Sequence, residues 1–159
     1  MIIVSNTTPI LSLYKIGQLE LLECLFKRVT VPKAVYNEIA VLGKGKDGHD
    51  VLDSISYIHS VEVQNKIAIN MLRSQLDYGE AESIVLAAEL GADALLLDEK
   101  KARKIAQANS QKVMGTIGVL QAAKRKGLIS NIKDQLDALI VSGIWIDRNL
   151  YQTVIQNVD

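Results

Sequence analysis

Short apolar runs alternate with stretches of helical periodicity along the chain. The runs predict strands at residues 2–4, 29–31, 61–63, 94–97 and 113–114. Apolar positions three or four apart predict helices over residues 10–14, 19–26, 32–42, 66–75, 79–90, 100–108, 132–141 and 147–158, with another beginning at 115–116. This alternation is typical of a parallel sheet with helices on both faces, so we expect a three-layer α/β/α sandwich.

The composition is that of one globular unit with no strong electrostatic bias. The 159 residues are 48% hydrophobic, and 18 basic residues balance 18 acidic ones. We expect a single domain over residues 1–159. Zero net charge argues against electrostatic binding of nucleic acid by the whole surface, but it allows local basic patches that bind. With Cys24 as the only cysteine and no signal segment or membrane-length apolar run, we expect a cytoplasmic protein without a membrane anchor.

Asn6 and Asp98 each follow a predicted strand. Ligands of such sheets bind outside the carboxyl ends of the strands, where both residues are expected to fall. An alternative stays open for each residue. Asn6 would serve a local turn bond, and Asp98 would cap the next helix.

Glu38 is predicted to lie on the buried side of its helix. It shares a helical face with Val35, Ile39 and Leu42. A buried carboxylate is costly unless it is paired or bound to a metal. Glu38 is therefore expected either to pair with an internal Lys or Arg or to look into a polar pocket.

Two further acidic residues open the helix after Gly79. Glu80 projects beside Ile84 and Ala87 and is the better inward candidate, whereas Glu82 points toward a flank. Both would also complement the positive end of the helix dipole without any metal. Taken together with Glu38 and Asp98, however, they form a set of oxygen ligands of the kind that Mg²⁺ and Mn²⁺ prefer.

Several other features of the sequence give weaker functional signals than this acidic set. A G-x-G-x-x-G pattern at residues 43–48 follows a helix rather than a strand, so it predicts a flexible loop. His49 and His59 have no paired ligand spacing. Trp145 and Tyr151 are interpreted as core or subunit contacts rather than a cofactor site.

The ordered motifs of the chain resemble the PIN domain superfamily. The segments that carry the resemblance are residues 4–10, 31–39, 79–82, 91–99 and 115–120. More narrowly, the chain is similar to the DUF3368 branch, which is related to VapC-like toxins. The resemblance runs from about residue 2 to residue 151 and implies a PIN-like, Rossmann-like fold.

The resemblance also implies an activity and a site. PIN domains are metal-dependent ribonucleases, often the toxin of a toxin–antitoxin pair and commonly dimeric, with four acidic residues around Mg²⁺ or Mn²⁺. By motif, the four positions fall on Asn6, Glu38, Glu80 (with Glu82 as the alternative) and Asp98, and Thr116 matches a small polar position nearby. The chain departs from the pattern at Asn6, where an amide offers a carbonyl oxygen but no charge.

Basic residues follow Asp98 and are candidates for phosphate contacts. The group comprises Lys100, Lys101, Arg103 and Lys104, with residues 124–126 as a second basic cluster. The alternative interpretation is a solvated helix face. Few aromatic residues are available for base stacking, so sequence-specific single-strand recognition is not visible.

Three hypotheses from different classes remain. The first is a Mg²⁺- or Mn²⁺-dependent endoribonuclease acting on RNA, with a small antitoxin as partner and a homodimer as its assembly. The second is a cleavage-defective module of the same fold that binds RNA or protein, because of Asn6. The third, a phosphate-handling enzyme with Asp98 as nucleophile, lacks a supporting second Asp.

Overall fold

The computed structural model describes residues 1–42, 52 and 55–157. The predicted loop at residues 43–50, with its glycine pattern and His49, lies outside this range. The strands of the described part are β1 (Ile3–Ser5), β2 (Val29–Pro32), β3 (Ile58–Val61), β4 (Ala94–Leu96) and β5 (Val113–Met114). The helices are α1 (Thr7–Lys15), α2 (Leu21–Phe26), α3 (Lys33–Leu42), α4 (Lys66–Leu72), α5 (Tyr78–Leu90), α6 (Lys100–Ala108), α7 (Thr116–Arg125), α8 (Ile132–Val141) and α9 (Arg148–Gln156).

The five strands form one parallel sheet in the order β3-β2-β1-β4-β5. The chain moves outward from β1 through β2 to β3 and then returns to β4 on the other side of β1. The order therefore reverses between β1 and β4, which pair through Ile3–Ala94, Val4–Leu95 and Ser5–Leu96. Such a switch point opens a crevice at the carboxyl edge of the sheet.

Side chains that alternate along the strands feed two separate cores, one on each face of the sheet. Ile3 and Leu96 pack with α1, α2, α3, α7, α8 and α9. Val4 and Leu95 pack on the opposite face with α4, α5 and α6. The predicted three-layer α/β/α sandwich with a central parallel sheet is thereby confirmed.

Two boundaries differ from those predicted. Pro32 ends β2, in register with Val61, instead of opening the following helix, which begins at Lys33. The strand predicted at 61–63 lies earlier, at Ile58–Val61. Val63 is fully buried but lies beyond the strand, so its apolar character reflects contact with the core rather than strand pairing.

α5 is the longest described helix, with 13 residues. Its first half is buried on all sides because it packs against the sheet and against α4. Within the described ranges, no helix has the length and apolarity that crossing a membrane requires.

Candidate active site

Asn6 and Asp98 lie at the switch point, on the two neighbouring strands where the sheet order reverses. The Asn6 backbone N–H donates to the Leu96 carbonyl oxygen at 3.0 Å, which fixes the end of β1 against β4. Asn6 is only 7% exposed, and although it occupies the N-cap position of α1, its side chain makes no capping hydrogen bond. The local turn bond considered from the sequence is therefore not made.

Asp98 is held by the first residue of α7. Its Oδ1 accepts from the Thr116 backbone N–H at 2.6 Å, and its Oδ2 accepts from the Thr116 hydroxyl at 2.7 Å. Asp98 does not cap α6, because Glu99 accepts from the Ala102 N–H at that helix. The carboxylate is thus oriented at the mouth of the crevice by a residue distant in sequence.

Gly115 allows Asp98 to approach α7 so closely. A Cβ atom at Gly115 would lie 2.9 Å from Asp98 Oδ1 and 3.3 Å from Arg103 Nη1. Any larger residue here would displace one of these groups. The missing side chain therefore brings a carboxylate and a guanidinium to the same point.

Glu38 and Asn6 converge on the space left by a second glycine, Gly79 in the first turn of α5. A Cβ atom there would lie 3.3 Å from Glu38 Oε2 and 3.5 Å from Asn6 Oδ1. Glu38 Oε2 also accepts from the Thr7 hydroxyl at 3.1 Å. Two side-chain oxygens from different elements therefore approach the same point beside Gly79.

The prediction that Glu38 lies in the buried stripe of its helix is wrong. Val35 and Ile39 are fully buried, but Glu38 is exposed and Leu42 is 61% exposed. The buried stripe of α3 is narrower than the apolar letters indicate, because the end of the helix projects past the core. Glu38 therefore faces solvent at the crevice, where a charged carboxylate carries little desolvation cost.

Glu80 is buried in a capping box at the start of α5. Its Oε1 accepts from the Asp77 backbone N–H at 3.1 Å, and Asp77 Oδ1 accepts from the Glu80 N–H at 2.8 Å. Burial raises the pKa of Glu80, and the negative charges of Asp77 and Glu99 add to this rise, while the hydrogen bond from the Asp77 backbone opposes it. Glu80 thus lies in an acidic surrounding on the side of the crevice toward Glu99.

Glu82 is more deeply buried than expected for a residue on a flank. It is 3% exposed, and its Oε2 accepts from the Ala34 backbone N–H at 2.9 Å, in the first turn of α3. This bond ties α5 to the helix that carries Glu38. Because the partner is a distant backbone group, the helical wheel gave no sign of it.

Replacing Glu80 by Gln is expected to preserve the capping box and to remove the titratable carboxyl group. Gln keeps the Oε1 acceptor for the Asp77 N–H. Because the folded-state pKa is raised above 4.5, ionisation favours the unfolded state as pH rises from about 4.5 through the folded-state pKa. The variant should gain melting temperature relative to the parent over that range in EDTA, and a constant difference across pH would contradict this account.

The basic residues after Asp98 divide according to the geometry of α6. Lys100, Arg103 and Lys104 line a groove of about 810 Å³ that also contains Asp98, and Lys101 does not line it. Positions three and four apart share a helix face, whereas the next residue points about 100° away. The prediction for Lys101 is therefore not supported by its position, while Lys100 and Arg103 do lie beside Asp98.

The second basic cluster, residues 124–126, lies at the far end of α7. Thr116 begins that helix at the crevice, and ten residues of helix span about 15 Å. The Lys124 ammonium group donates to the Ser130 carbonyl oxygen at 2.9 Å. The cluster is therefore not part of the crevice.

The side chains at the crevice offer oxygen donors, the kind that a hard divalent cation prefers, but they are few in number. Among the residues with described positions, no group of three His, Cys, Asp or Glu side chains is placed to hold a metal ion. Mg²⁺, however, keeps several waters and is usually bound through one or two carboxylates together with substrate phosphates. Asn6 offers an amide oxygen, and Glu38 and Asp98 offer carboxylates, which are oxygen donors of the kind that Mg²⁺ binds.

Comparison with known proteins agrees with the fold. The chain matches none of the curated proteins searched. A model of the family DUF3368, described as a PIN domain, matches residues 2–159. PIN domains are nuclease-type domains that act on RNA and generally use divalent metal ions. Because the match spans nearly the whole chain, this protein belongs to the PIN domain family DUF3368.

Proposed function

We propose that this chain is a metal-dependent endoribonuclease whose active site is the crevice between β1 and β4. The observation that carries the proposal is the position of Asn6 and Asp98 on either side of the switch point, where ligands of such sheets bind. The exposed carboxylate of Glu38 lies beside Asn6 and completes an oxygen-rich opening.

Glu38 and Asp98, with the amide oxygen of Asn6, would hold Mg²⁺ or Mn²⁺. A bound divalent cation supplies a hydroxide nucleophile from water at neutral pH and neutralises charge on the scissile phosphate. A Cβ atom at Gly115 would lie 2.9 Å from Asp98 Oδ1 and 3.3 Å from Arg103 Nη1. Arg103 therefore offers a positive charge to that phosphate. Glu80 Oε1 accepts the capping bond from the Asp77 N–H, so Glu80 would join the site through its second oxygen, Oε2.

Thr116 acts as a positioning residue through Asp98. Thr116→Val removes the hydroxyl that donates to Asp98 Oδ2, and we expect cleavage to fall about 10- to 100-fold, as for other groups that orient a ligand. Thr116→Ser keeps the hydroxyl and should stay within a few-fold of the parent. The measurement is the cleavage rate beside the melting temperature, and equal rates for the two variants at equal stability would contradict this role.

The second candidate function is a PIN-fold module that binds RNA or protein without cutting it. The observation in its favour is the neutral Asn6 at a position where the resemblance implies an acid. An amide still offers an oxygen to a cation, but it brings no charge to hold one. A silent parent that gains activity as Asn6→Asp would favour this second function.

The experiment that tests the proposed activity is cleavage of a labelled RNA pool and of a circular RNA in Mn²⁺, Mg²⁺ or EDTA. Only an endonuclease opens a circular substrate, so linear products report the mode of attack directly. We expect opening of the circle with either cation and none in EDTA. Cleavage of linear RNA alone would contradict the endonuclease assignment.

We further propose that the protein is the toxin of a type II toxin–antitoxin pair and forms a homodimer. Both statements rest on the family resemblance. An antitoxin segment that crosses the acidic crevice would offer Arg or Lys to Glu38 and Asp98. Binding preserved after charge reversal of both residues would count against that mode.

A further inference from the structure

The groove beside Asp98 that holds the basic side chains also carries an exposed tryptophan. Trp145, at 82% exposure, lines the same groove as Lys100, Arg103 and Lys104. Of the two interpretations given for Trp145, the core contact is therefore wrong, and the subunit contact stays a prediction. A large apolar ring that stays in water lacks the favourable free energy of burial, so covering Trp145 with a ligand or partner would be favourable.

The segment that bears Trp145 is fixed rather than loosely attached. Its neighbours Ile144 and Ile146 are partly buried against the core, so the alternation of the chain turns the ring between them outward. Asp147 caps α9 by accepting from the Leu150 N–H at 3.1 Å, and the Tyr151 hydroxyl donates to Asp137 on α8. The ring is thus presented from a supported turn between two packed helices.

The basic wall has charges available for a ligand. The ion pairs found among residues of known position, Lys66–Glu62 and Lys133–Asp137, involve none of Lys100, Arg103 and Lys104. Among the described residues that line the groove, three are basic and two are acidic, Asp98 and Asp147, so the lining keeps a positive excess. The groove, at about 810 Å³, lies within the range of about 300–1,000 Å³ that ligand clefts show.

We infer that Trp145 is a base-stacking residue for the RNA substrate, with an unpaired base on its ring and the backbone phosphates on Lys100, Arg103 and Lys104. A positive track beside an aromatic platform is the usual arrangement for single-stranded nucleic acid. Only an unpaired strand can offer a free base face to the ring. The inference rests on the proposed function and deepens it, because the groove leads a strand directly to Asp98.

The test uses Trp145 itself as the probe, since it is the only tryptophan of the chain. An oligouridylate of roughly 12 nucleotides, within the range of known single-strand site sizes, is titrated into the protein in EDTA at low salt. We expect quenching of the tryptophan fluorescence that follows the binding curve from anisotropy of the labelled RNA. RNA binding without quenching would overturn the inference.

Variants separate stacking from charge. Trp145→Ala should weaken RNA binding by about 5- to 100-fold, and Trp145→Phe should stay close to the parent. The matched control is Ile67→Ala on α4, a comparably exposed apolar residue outside the groove, which should leave affinity unchanged. Lys104→Ala should lower the salt dependence of binding, whereas Trp145→Ala should leave that slope unaltered.

The outcomes distinguish the inference from the nuclease proposal. If Trp145→Ala binds and, with Mn²⁺, cleaves the same oligonucleotide as well as the parent does, the inference fails and the nuclease stands. If Trp145 is quenched and its Ala variant loses affinity without any cleavage by the parent, the inference stands and the nuclease fails. A Trp145→Ala variant with altered oligomeric state by light scattering and unchanged RNA affinity would assign the surface to a protein partner and overturn the inference.

Discussion

Replacing Asp98 by Asn is expected to lower the rate of RNA cleavage by at least about 100-fold. The change removes a negative charge that would hold the divalent cation, and the bound cation would stabilise the transition state by several kcal/mol. Asp98 lies just after β4, and Thr116 donates hydrogen bonds to both of its carboxylate oxygens. Asn would keep the shape but supply one acceptor instead of two. The measurement is the single-turnover cleavage rate with saturating Mn²⁺.

The matched control for Asp98→Asn is Asp147→Asn. Asp147 lines the same groove and caps α9, and Asn caps a helix about as well as Asp. The control should retain the parent rate and melting temperature. Equal losses in the two variants would mean that the groove responds to any reduction in charge, and the assignment of Asp98 as a catalytic residue would fail.

Replacing Asn6 by Asp is expected to tighten Mn²⁺ binding by about tenfold or more, since a unit charge near a cation is worth several kcal/mol at short range even with protein screening. Asn6 Oδ1 and Glu38 Oε2 approach the same point beside Gly79, so the new charge would face the cation directly. Without metal, the two carboxylates would repel each other. The variant should therefore melt lower than the parent in EDTA and recover in Mn²⁺.

Asn65→Asp is the control for this change. Asn65 is also an N-cap residue, at α4, and its Oδ1 accepts from the Ala68 N–H at 3.0 Å. The substitution adds the same charge at a helix start away from the crevice, so calorimetry should find Mn²⁺ affinity unaltered. If Asn6→Asp behaves like Asn65→Asp, the amide at the end of β1 does not face a cation.

The sheet and the positions of Asn6 and Asp98 were predictable because they follow from local pattern and a general property of parallel sheets. Apolar runs identify strands, and a polar residue just after a run falls at the carboxyl edge. The register that makes β1 and β4 neighbours is not local. No sequence-based prediction supplied it, and the structure shows it in the pairing of Val4 with Leu95.

The roles of the glutamates were less predictable because they depend on contacts between distant elements. Periodicity placed Glu38 on an apolar face, but the extent of burial depends on how far α3 projects past its neighbours. The bond from the Ala34 N–H to Glu82 joins residues 48 positions apart. The capping box of Glu80 with Asp77 was the exception, since an acid three residues after Asp is a local signal.

The groove was not predictable from the sequence. Its lining comes from several elements, among them α6, α7 and the segment between α8 and α9, and no spacing rule connects Lys104 with Trp145. The sequence around Trp145 does contain one relevant signal. Ile144 and Ile146 pack against the core, so alternation along the chain turns the Trp145 side chain away from that core. Charge and aromatic ring become a single surface only in the folded chain.

The decisive measurement is the chemistry of the RNA ends that cleavage leaves. Hydrolysis by water requires no 2′-hydroxyl, so Mn²⁺-dependent cleavage should leave no 2′,3′-cyclic phosphate and should persist on RNA that carries a 2′-deoxy residue at the cut position. Cleavage that survives EDTA, or products with cyclic phosphate ends, would contradict a metal-dependent nuclease at the crevice between β1 and β4.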